Sequence, residues 1–283
     1  MRFGDFTVTL VNGGNFRLDG GAMHGVVPKT IWSRLISCDA HNRCEYATNC
    51  LLIEGRGRRV LVETGNGDKF PAKEKEIYGI DHDESAVRRL AALGVEPASI
   101  DVVVMTHLHF DHAGGATVRS ASGTLLPTFP RARHIIQRAE WHDATHPHER
   151  NRASYLGENF LPLEAAGLVN LVDGEVEVAP GVRVLPTPGH TAGHQSVLLD
   201  DGQGARVLFL GDIVPTSVHV RLPFIMAYDL DVVRSLETKR SLLGRAIDER
   251  WLVVFGHDVT TVAGYLGRTA RGDITVVEPV ALA

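Results

Sequence analysis

Cysteine is scarce in this chain, aromatic residues make up only 6% of it, and it has neither a block of like charge nor a long apolar stretch. Each shortage excludes something. Cys38, Cys44 and Cys50 are too few and odd in number for a disulfide framework, which makes a reducing cytoplasm the expected compartment. Their spacing does not suit a thiolate metal site either, which is built from short pairs such as C-x2-C and needs a fourth ligand. No apolar run approaches the length of a membrane span. The opening segment MRFGDFTVTLVNGG lacks a charged start followed by an apolar stretch and a small-residue cleavage site, so no signal peptide is expected. With 29 basic against 34 acidic residues and a net charge of -5, there is no basic patch to attract nucleic acid or an anionic membrane.

What is present is an ordinary globular composition, 44% apolar and 22% charged over 283 residues. No repeat or Pro/Gly/Ser linker divides it, so a single domain over residues 1–283 is expected. Short β-branched runs recur at Thr7–Val11, Cys50–Ile53, Val60–Val62, Asp101–Met105, His134–Ile136, Val182–Leu185, Ser196–Leu199, Val207–Leu210 and Leu252–Phe255. Each has the length of a buried strand. Helical spacing appears between them. Asp83–Leu93 places Val87, Leu90 and Leu93 on one face and stops at Gly94, Ala139–His146 is a shorter helix, and Leu230–Ile247 aligns Val233, Leu236, Leu243 and Ile247. The mixture predicts an α/β sandwich, with sheets in the middle and helices outside.

Four of these strands run directly into short loops that carry metal-ligand residues. Val102–Met105 leads to His107, His109, Asp111 and His112; Val182–Leu185 leads to His190; Val207–Leu210 to Asp212; Leu252–Phe255 to His257. Strand ends are where a rigid sheet can fix a loop for chemistry. Imidazole and carboxylate suit zinc first, and iron, manganese or cobalt with the same set. Alternate residues of an extended segment point the same way, so His107 and His109 are expected to face one ion with His190. Asp111 and His112 are expected to face a second with His257, leaving Asp212 as the bridging carboxylate. Gly114, Gly115, Gly189, Gly211 and Gly256 flank these loops and are expected to let backbone approach the ions.

The pattern resembles the signature of the metallo-β-lactamase superfamily over nearly the whole chain. Within that superfamily, Leu18–Pro28, Thr106–Gly115 and Met226–Asp229 are similar to segments of the quorum-quenching lactonase branch, which opens N-acyl-homoserine lactones. The resemblance implies a four-layer αβ/βα sandwich with two divalent ions at the edge between its sheets. It implies ring opening by a metal-bridging hydroxide, with Asp111 orienting the nucleophile and no partner beyond a small lactone or ester. Two positions depart from the pattern. Glu63-Thr64-Gly65 stands where Asp-Thr-Gly is usual, and Glu63 is expected to support a ligand rather than bind metal. Ile213–Ser217 lacks the tyrosine usual after the bridging Asp, which leaves Tyr228, or His219 as second choice, to meet the oxyanion.

Other activities are less well served. A true β-lactamase usually has Cys or Ser at the position of Asp212, a glutathione thioesterase needs a basic helical extension beyond His257, and a nuclease needs a basic surface. A flavodiiron protein normally has Glu in place of His109 and an added flavin domain. A phosphotriesterase, or another carboxylic or thioester hydrolase, uses the same ligands. The non-enzymatic alternative is a sensing or binding module that keeps its metals.

Among the remaining residues, His194 is expected to support a neighbouring ligand. His142, His146 and His148 read as a solvated helix end and loop. His24 is read either as lining the entrance or as exposed. Trp32, Phe110, Phe224 and Met226 form either an acyl-binding wall or core. Asp81 and Asp83, around His82, read as a helix start. The Gly-rich N-terminal segment and residues 214–229 are candidate lid or homodimer elements.

Overall fold

The computed structural model describes residues 1–80 and 84–282, so the helix start expected around Asp81, His82 and Asp83 lies outside the described residues. In chain order the first sheet is built from β1 (Arg2–Phe3), β2 (Phe6–Asp19), β3 (Arg43–Gly55), β4 (Arg58–Val62) and β5 (Val102–Val104). After a small hairpin of β6 (Thr117–Arg119) and β7 (Leu125–Pro127), β8 (Arg133–Gln137) and β9 (Val169–Val172) complete it in the order β1-β2-β3-β4-β5-β8-β9. The second sheet follows as β10 (Val176–Ala179), β11 (Val182–Pro186), β12 (Gln195–Asp200), β13 (Arg206–Phe209), β14 (Leu252–Val254), β15 (Ala263–Arg268) and β16 (Ile274–Val280), each beside the next. β4, β5, β8 and β9 run parallel, as do β13 and β14.

The two-residue alternation of a strand explains the layering. Val102 and Val104 of β5 enter the core between the sheets with Val60, Val62, Val184, Val207, Phe209 and Val254. Val103 faces the other way and packs with Leu52, Leu61, Ile136 and Leu90 of a covering helix. The second sheet repeats this, turning Leu208 and Val253 outward onto Leu242, Leu243 and Ala246. Helix, sheet, sheet, helix is the expected αβ/βα sandwich.

Every expected strand is present, and seven were not anticipated: β1, β6, β7, β9, β10, β15 and β16. β2 and β3 extend to 14 and 13 residues because they pair with each other along nearly their whole length, past the apolar runs that mark their cores. The short helices α1 (Gly20–His24), α2 (Lys29–Trp32) and α3 (Ala72–Tyr78) also carry no clear periodic signal. α4 (Ala86–Ala92) is capped by Ser85 and buries Ala86 and Leu90, while Leu93 is 45% exposed rather than on the buried face.

Three further helices carry the later argument: α5 (Phe110–Ala113), α6 (Arg138–Thr145) and, after α7 (Leu161–Ala165), the long α8 (Val232–Asp248). α8 is capped by Asp231 and buries Ser235, Lys239, Leu242, Leu243 and Ala246; Val233, expected inside, is 63% exposed. The face is rotated because Lys239 turns inward and donates from Nζ to the carbonyls of Arg221 and Phe224. That tether fixes the segment 221–224 to the body of the protein.

One expectation fails. Cys38 and Cys44, which close a short antiparallel bridge, are joined as a disulfide, and Cys50 alone is free and buried. The five residues between them bring Cys38 face to face with Cys44 at the start of β3, a local pairing that the count of cysteines does not show. Among the described residues no helix is long and apolar enough to cross a membrane.

Burial lowers the pKa of Lys239 to about 7. Its folded value lies below the unfolded one, so the folded state is penalised for carrying the proton, and stability rises with pH between about 7 and 10. In urea unfolding, the wild type is expected to gain on Lys239→Met by up to about 1.4 kcal/mol per pH unit as pH rises from 7 to 9. A parallel pH dependence in the two proteins would assign the tether a fully solvated amine.

Candidate metal centre

The seven residues singled out in the sequence come from both sheets and meet at one edge. β5 delivers His107 and His109 in extended backbone, and α5 turns the chain so that Asp111 and His112 follow. β11, β13 and β14 deliver His190, Asp212 and His257 from the opposite sheet. All seven are buried. Their ligand atoms fall into three groups, each within 4.8 Å: His107, His109 and His190; His107, His112 and Asp212; Asp111, His112 and His257.

Asp212 lies between the sets. Its Oδ2 is 3.4 Å from His190 Nε2 and 4.0 Å from His107 Nε2. Its Oδ1 is 2.9 Å from His257 Nε2 and 3.4 Å from His112 Nε2. Asp111 Oδ2 adds a carboxylate 3.4 Å from His257 Nε2 and 3.6 Å from His112 Nε2.

The outer nitrogens show which atoms are left to face inward. His190 Nδ1 donates to Asp229 Oδ1 at 3.0 Å and His257 Nδ1 to the Ala47 carbonyl at 2.7 Å. His112 Nδ1 lies 3.3 Å from Glu63 Oε2, and His107 Nδ1 is 3.0 Å from Thr106 Oγ1. An imidazole that donates from one nitrogen presents a lone pair at the other. These inward atoms crowd together, His109 Nδ1 standing 3.0 Å from His107 Nε2 and 3.1 Å from His190 Nε2. Asp212 Oδ1, although close to two imidazoles, has no aligned hydrogen-bond partner among the described residues. Lone pairs converging without protons to share are what divalent cations neutralise. The donors present fit such ions.

Charge balance leads to the same place. Burial, then the neighbouring imidazoles, hold His107 and His109 well below their ordinary pKa. Burial also opposes charge on His112, His190 and His257, but carboxylates outweigh it: Asp111, Asp212 and Glu63 raise His112, Asp212 and Asp229 raise His190, and Asp212 raises His257. Burial works against the charge of Asp212, yet His257, His112 and His190 hold its pKa well below the carboxylate range. The cluster therefore requires positive charge among its carboxylates, as protons or as bound cations.

A cavity of about 280 Å³ opens onto this cluster. Asp111, Asp212, His109, His190 and His257 form its floor, and Leu18, Met23, Phe110, Met226 and Leu230 its apolar wall. Arg150, Asn151, Ser154 and Tyr228 supply the remaining polar groups.

Comparison with known proteins accords with this geometry. Residues 45–257 match the model of the Metallo-beta-lactamase superfamily. The chain belongs to that superfamily. It is 32% identical over 227 residues to an N-acyl homoserine lactonase from a Bacillus species, an alignment spanning 76% of this chain and 82% of the relative. Among solved structures, it is similar to a "probable metal-dependent hydrolase from Staphylococcus aureus" with a TM-score of 0.88 and 29% identity, over 99% of this chain and 100% of that one. It is also similar to an N-acyl homoserine lactone hydrolase with the product N-hexanoyl-L-homoserine at its catalytic metal center, with a TM-score of 0.68 and 26% identity over 89% and 93% of the two chains. The protein is a metal-dependent hydrolase.

Several roles in this superfamily member differ from the sequence reading. His219 does not reach the cavity: it is buried, with Nε2 2.8 Å from the Met23 carbonyl and Nδ1 2.7 Å from Thr216 Oγ1. His24 neither lines the entrance nor is exposed. It is fully buried, stacked between Trp32 and His219 at ring separations of 4.8 and 5.1 Å. Phe110 and Met226 line the cavity, whereas Trp32 and Phe224 are core. Gly114 and Gly211 let loop pack on loop: a Cβ on Gly114 would lie 2.1 Å from the Asn66 carbonyl, and one on Gly211 (φ +60°) 2.7 Å from His194.

His194 supports its neighbour as expected, accepting from the Asp212 amide at 3.0 Å. Burial holds its pKa near 3, which keeps that nitrogen free to accept. Glu63 accepts from the Thr106 amide at 2.8 Å besides facing His112. His142 is largely exposed, as a solvated helix end should be. Two supporting roles were missed: Asp229 stood out only as part of the segment Met226–Asp229, and Glu140 had no signal at all. Asp229 lies 39 residues from the His190 it holds. Glu140 of α6 is fully buried and accepts from Leu108 N, Tyr155 Oη and Thr191 Oγ1, joining the His107–His109 loop to the His190 loop. A periodic helix predicts an outer glutamate, and only the assembled fold shows its partners.

Asp212→Ala removes the carboxylate that faces both sets. Elemental analysis after dialysis is expected to show reduced metal content, with turnover down by at least roughly 100-fold. Wild-type metal content and rate in that variant would exclude Asp212 as a shared ligand.

Proposed function

We propose that this hydrolase opens N-acyl-homoserine lactones, using two divalent ions. The observation that carries the reading is Asp212, whose two oxygens face two separate sets of inward lone pairs beneath a cavity with one apolar wall. His107, His109 and His190 would hold one ion and Asp111, His112 and His257 the other, with Asp212 between them. Zinc fits the imidazole-rich set best. Bound there, such ions supply a water acidic enough to lose its proton near neutral pH and a positive charge for the carbonyl oxygen.

The chain's own groups do the rest. Asp111 stands on the cavity floor, where its carboxylate can orient the attacking water. Tyr228 lines the same cavity, and burial raises its pKa to about 12. Its hydroxyl therefore keeps its proton and can donate to the oxygen that gains charge as water adds to the carbonyl carbon. Collapse breaks the ring C–O bond, the alkoxide takes a proton, and a carboxylate remains, so each turnover releases one proton at neutral pH. Leu18, Met23, Phe110, Met226 and Leu230 offer the acyl chain an apolar wall. Support also comes from the relatives, which are named for this activity.

The direct test is proton release from short- and long-chain N-acyl-homoserine lactones, with a chelated control. Rapid opening that the chelator abolishes is the expected result. No opening by metal-loaded protein would move the assignment to other esters or to phosphotriesters, which the same centre can attack. Separately, Tyr228→Phe is expected to lower kcat roughly 100-fold with metal content unchanged. An unaltered kcat would remove Tyr228 from the oxyanion role.

A further inference from the structure

The polar segment His146–Arg150 leads into a side chain that is not solvated. Asn151 is only 4% exposed and lines the cavity beside Phe110 and Ser154. Neither its Oδ1 nor its Nδ2 has a hydrogen-bond partner among the described residues. A buried carboxamide left unpaired is costly, and its persistence in a cavity wall points to a partner supplied from outside the chain.

The backbone holding it is well tied down. The Asn151 amide donates to the His148 carbonyl at 3.2 Å, and its own carbonyl accepts from Ser154 N at 2.9 Å. Ser154 in turn accepts from Phe110 N at 2.9 Å, which anchors the loop to the segment carrying Asp111 and His112. On the outer side Arg150 donates to the Ala227 carbonyl at 2.5 Å, joining the loop to the rim that carries Met226 and Tyr228. The backbone that carries the carboxamide is thus held at a set position relative to both the cavity floor and the rim that bears Tyr228.

We infer that Asn151 is a specificity determinant that recognises a secondary amide on the substrate, next to the ring that is opened. A carboxamide offers an N–H donor and a carbonyl acceptor side by side, which is the complement of an N-acyl amide. Charged groups are a poorer match, since Asn151 brings no charge and the nearby Arg150 is exposed and engaged at the rim. A lactone whose amide is replaced by methylenes would bury Asn151 unpaired. A site built to hydrogen-bond a substrate group discriminates strongly against the analogue that lacks it. This inference rests on the lactonase reading and adds to it the residue that recognises the N-acyl amide.

The test compares two five-membered lactones of equal chain length, N-hexanoyl-homoserine lactone and an α-alkyl-γ-butyrolactone in which methylenes replace the amide. The wild type is expected to favour the first in kcat/KM. In Asn151→Leu, which keeps the shape and drops both hydrogen-bonding atoms, that preference is expected to fall roughly tenfold or more, mainly through KM. Its melting temperature should not fall, because an unpaired buried amide has been removed. Asn151→Ser serves as a second variant if Leu does not fold, with the same loss of preference expected. An unchanged preference in a folded, metal-loaded variant would overturn the role of Asn151 and leave the lactonase reading intact. Failure of the wild type to open either lactone would overturn the lactonase reading, and this inference with it.

Discussion

With Asp212 Oδ2 3.4 Å from His190 and Oδ1 2.9 Å from His257, opposite charges are buried where little solvent can screen them. Two carboxylates and five imidazoles can share such a space only if positive charge is supplied within, and four of the five rings also have a neighbouring group beside their outer nitrogen. The surrounding structure follows from that requirement. Asp229, Glu63, Thr106 and the Ala47 carbonyl each take one outer imidazole nitrogen. His194 accepts from the Asp212 amide, and Glu140 gathers the backbone of one ligand loop and the side chain beside another. Loss of any one would free a ring to turn, because an imidazole with one nitrogen unpinned has no fixed direction for the other.

The two-sheet sandwich meets this requirement economically. Strand ends from both sheets reach one edge, so ligands more than a hundred residues apart in sequence converge on backbone held by ladders of hydrogen bonds. The alternation that sends Val102 and Val104 inward and Val103 outward also sets the phase of the loop that begins at Thr106. Above the cluster the packing is looser in kind. Segments 20–24, 148–154 and 221–230 are not sheet, and they depend on specific ties: Asn151 and Ser154 to neighbouring backbone, Arg150 to Ala227, Lys239 to Arg221 and Phe224. The rigid layer carries the chemistry, and the tied loops shape what may enter.

The cavity is divided accordingly. Its lining combines the polar, charge-balanced ligand residues, the apolar side chains of Leu18, Met23, Phe110, Met226 and Leu230, and the polar groups of Tyr228, Asn151 and Ser154. The proposed substrate, with a reactive carbonyl, an adjacent amide and a hydrocarbon tail, has one group for each of these characters. That correspondence is what the lactonase proposal adds to the ligand set shared across the Metallo-beta-lactamase superfamily.

Much of the site was legible before the fold, because ligand chemistry needs particular residue types and strand ends announce themselves by β-branched runs breaking into Gly, Pro and His. His107-Leu-His109-Phe-Asp111-His112 and the single ligands at 190, 212 and 257 were found that way. Of the supporting residues, Glu63 and His194 were found too, but the others were not. Glu140 and Asp229 look like solvated acids until a neighbouring element removes the water. His24 and Lys239 look exposed until Trp32 and the 221–224 segment close over them. Asn151 follows a run of polar residues and reads as loop. Residue identity thus determined the chemistry available and the strands that present it. Burial, the partner of each outer nitrogen and the shape of the cavity were decided only by tertiary structure, since each depends on groups that are distant in sequence and adjacent only once the sheets have packed.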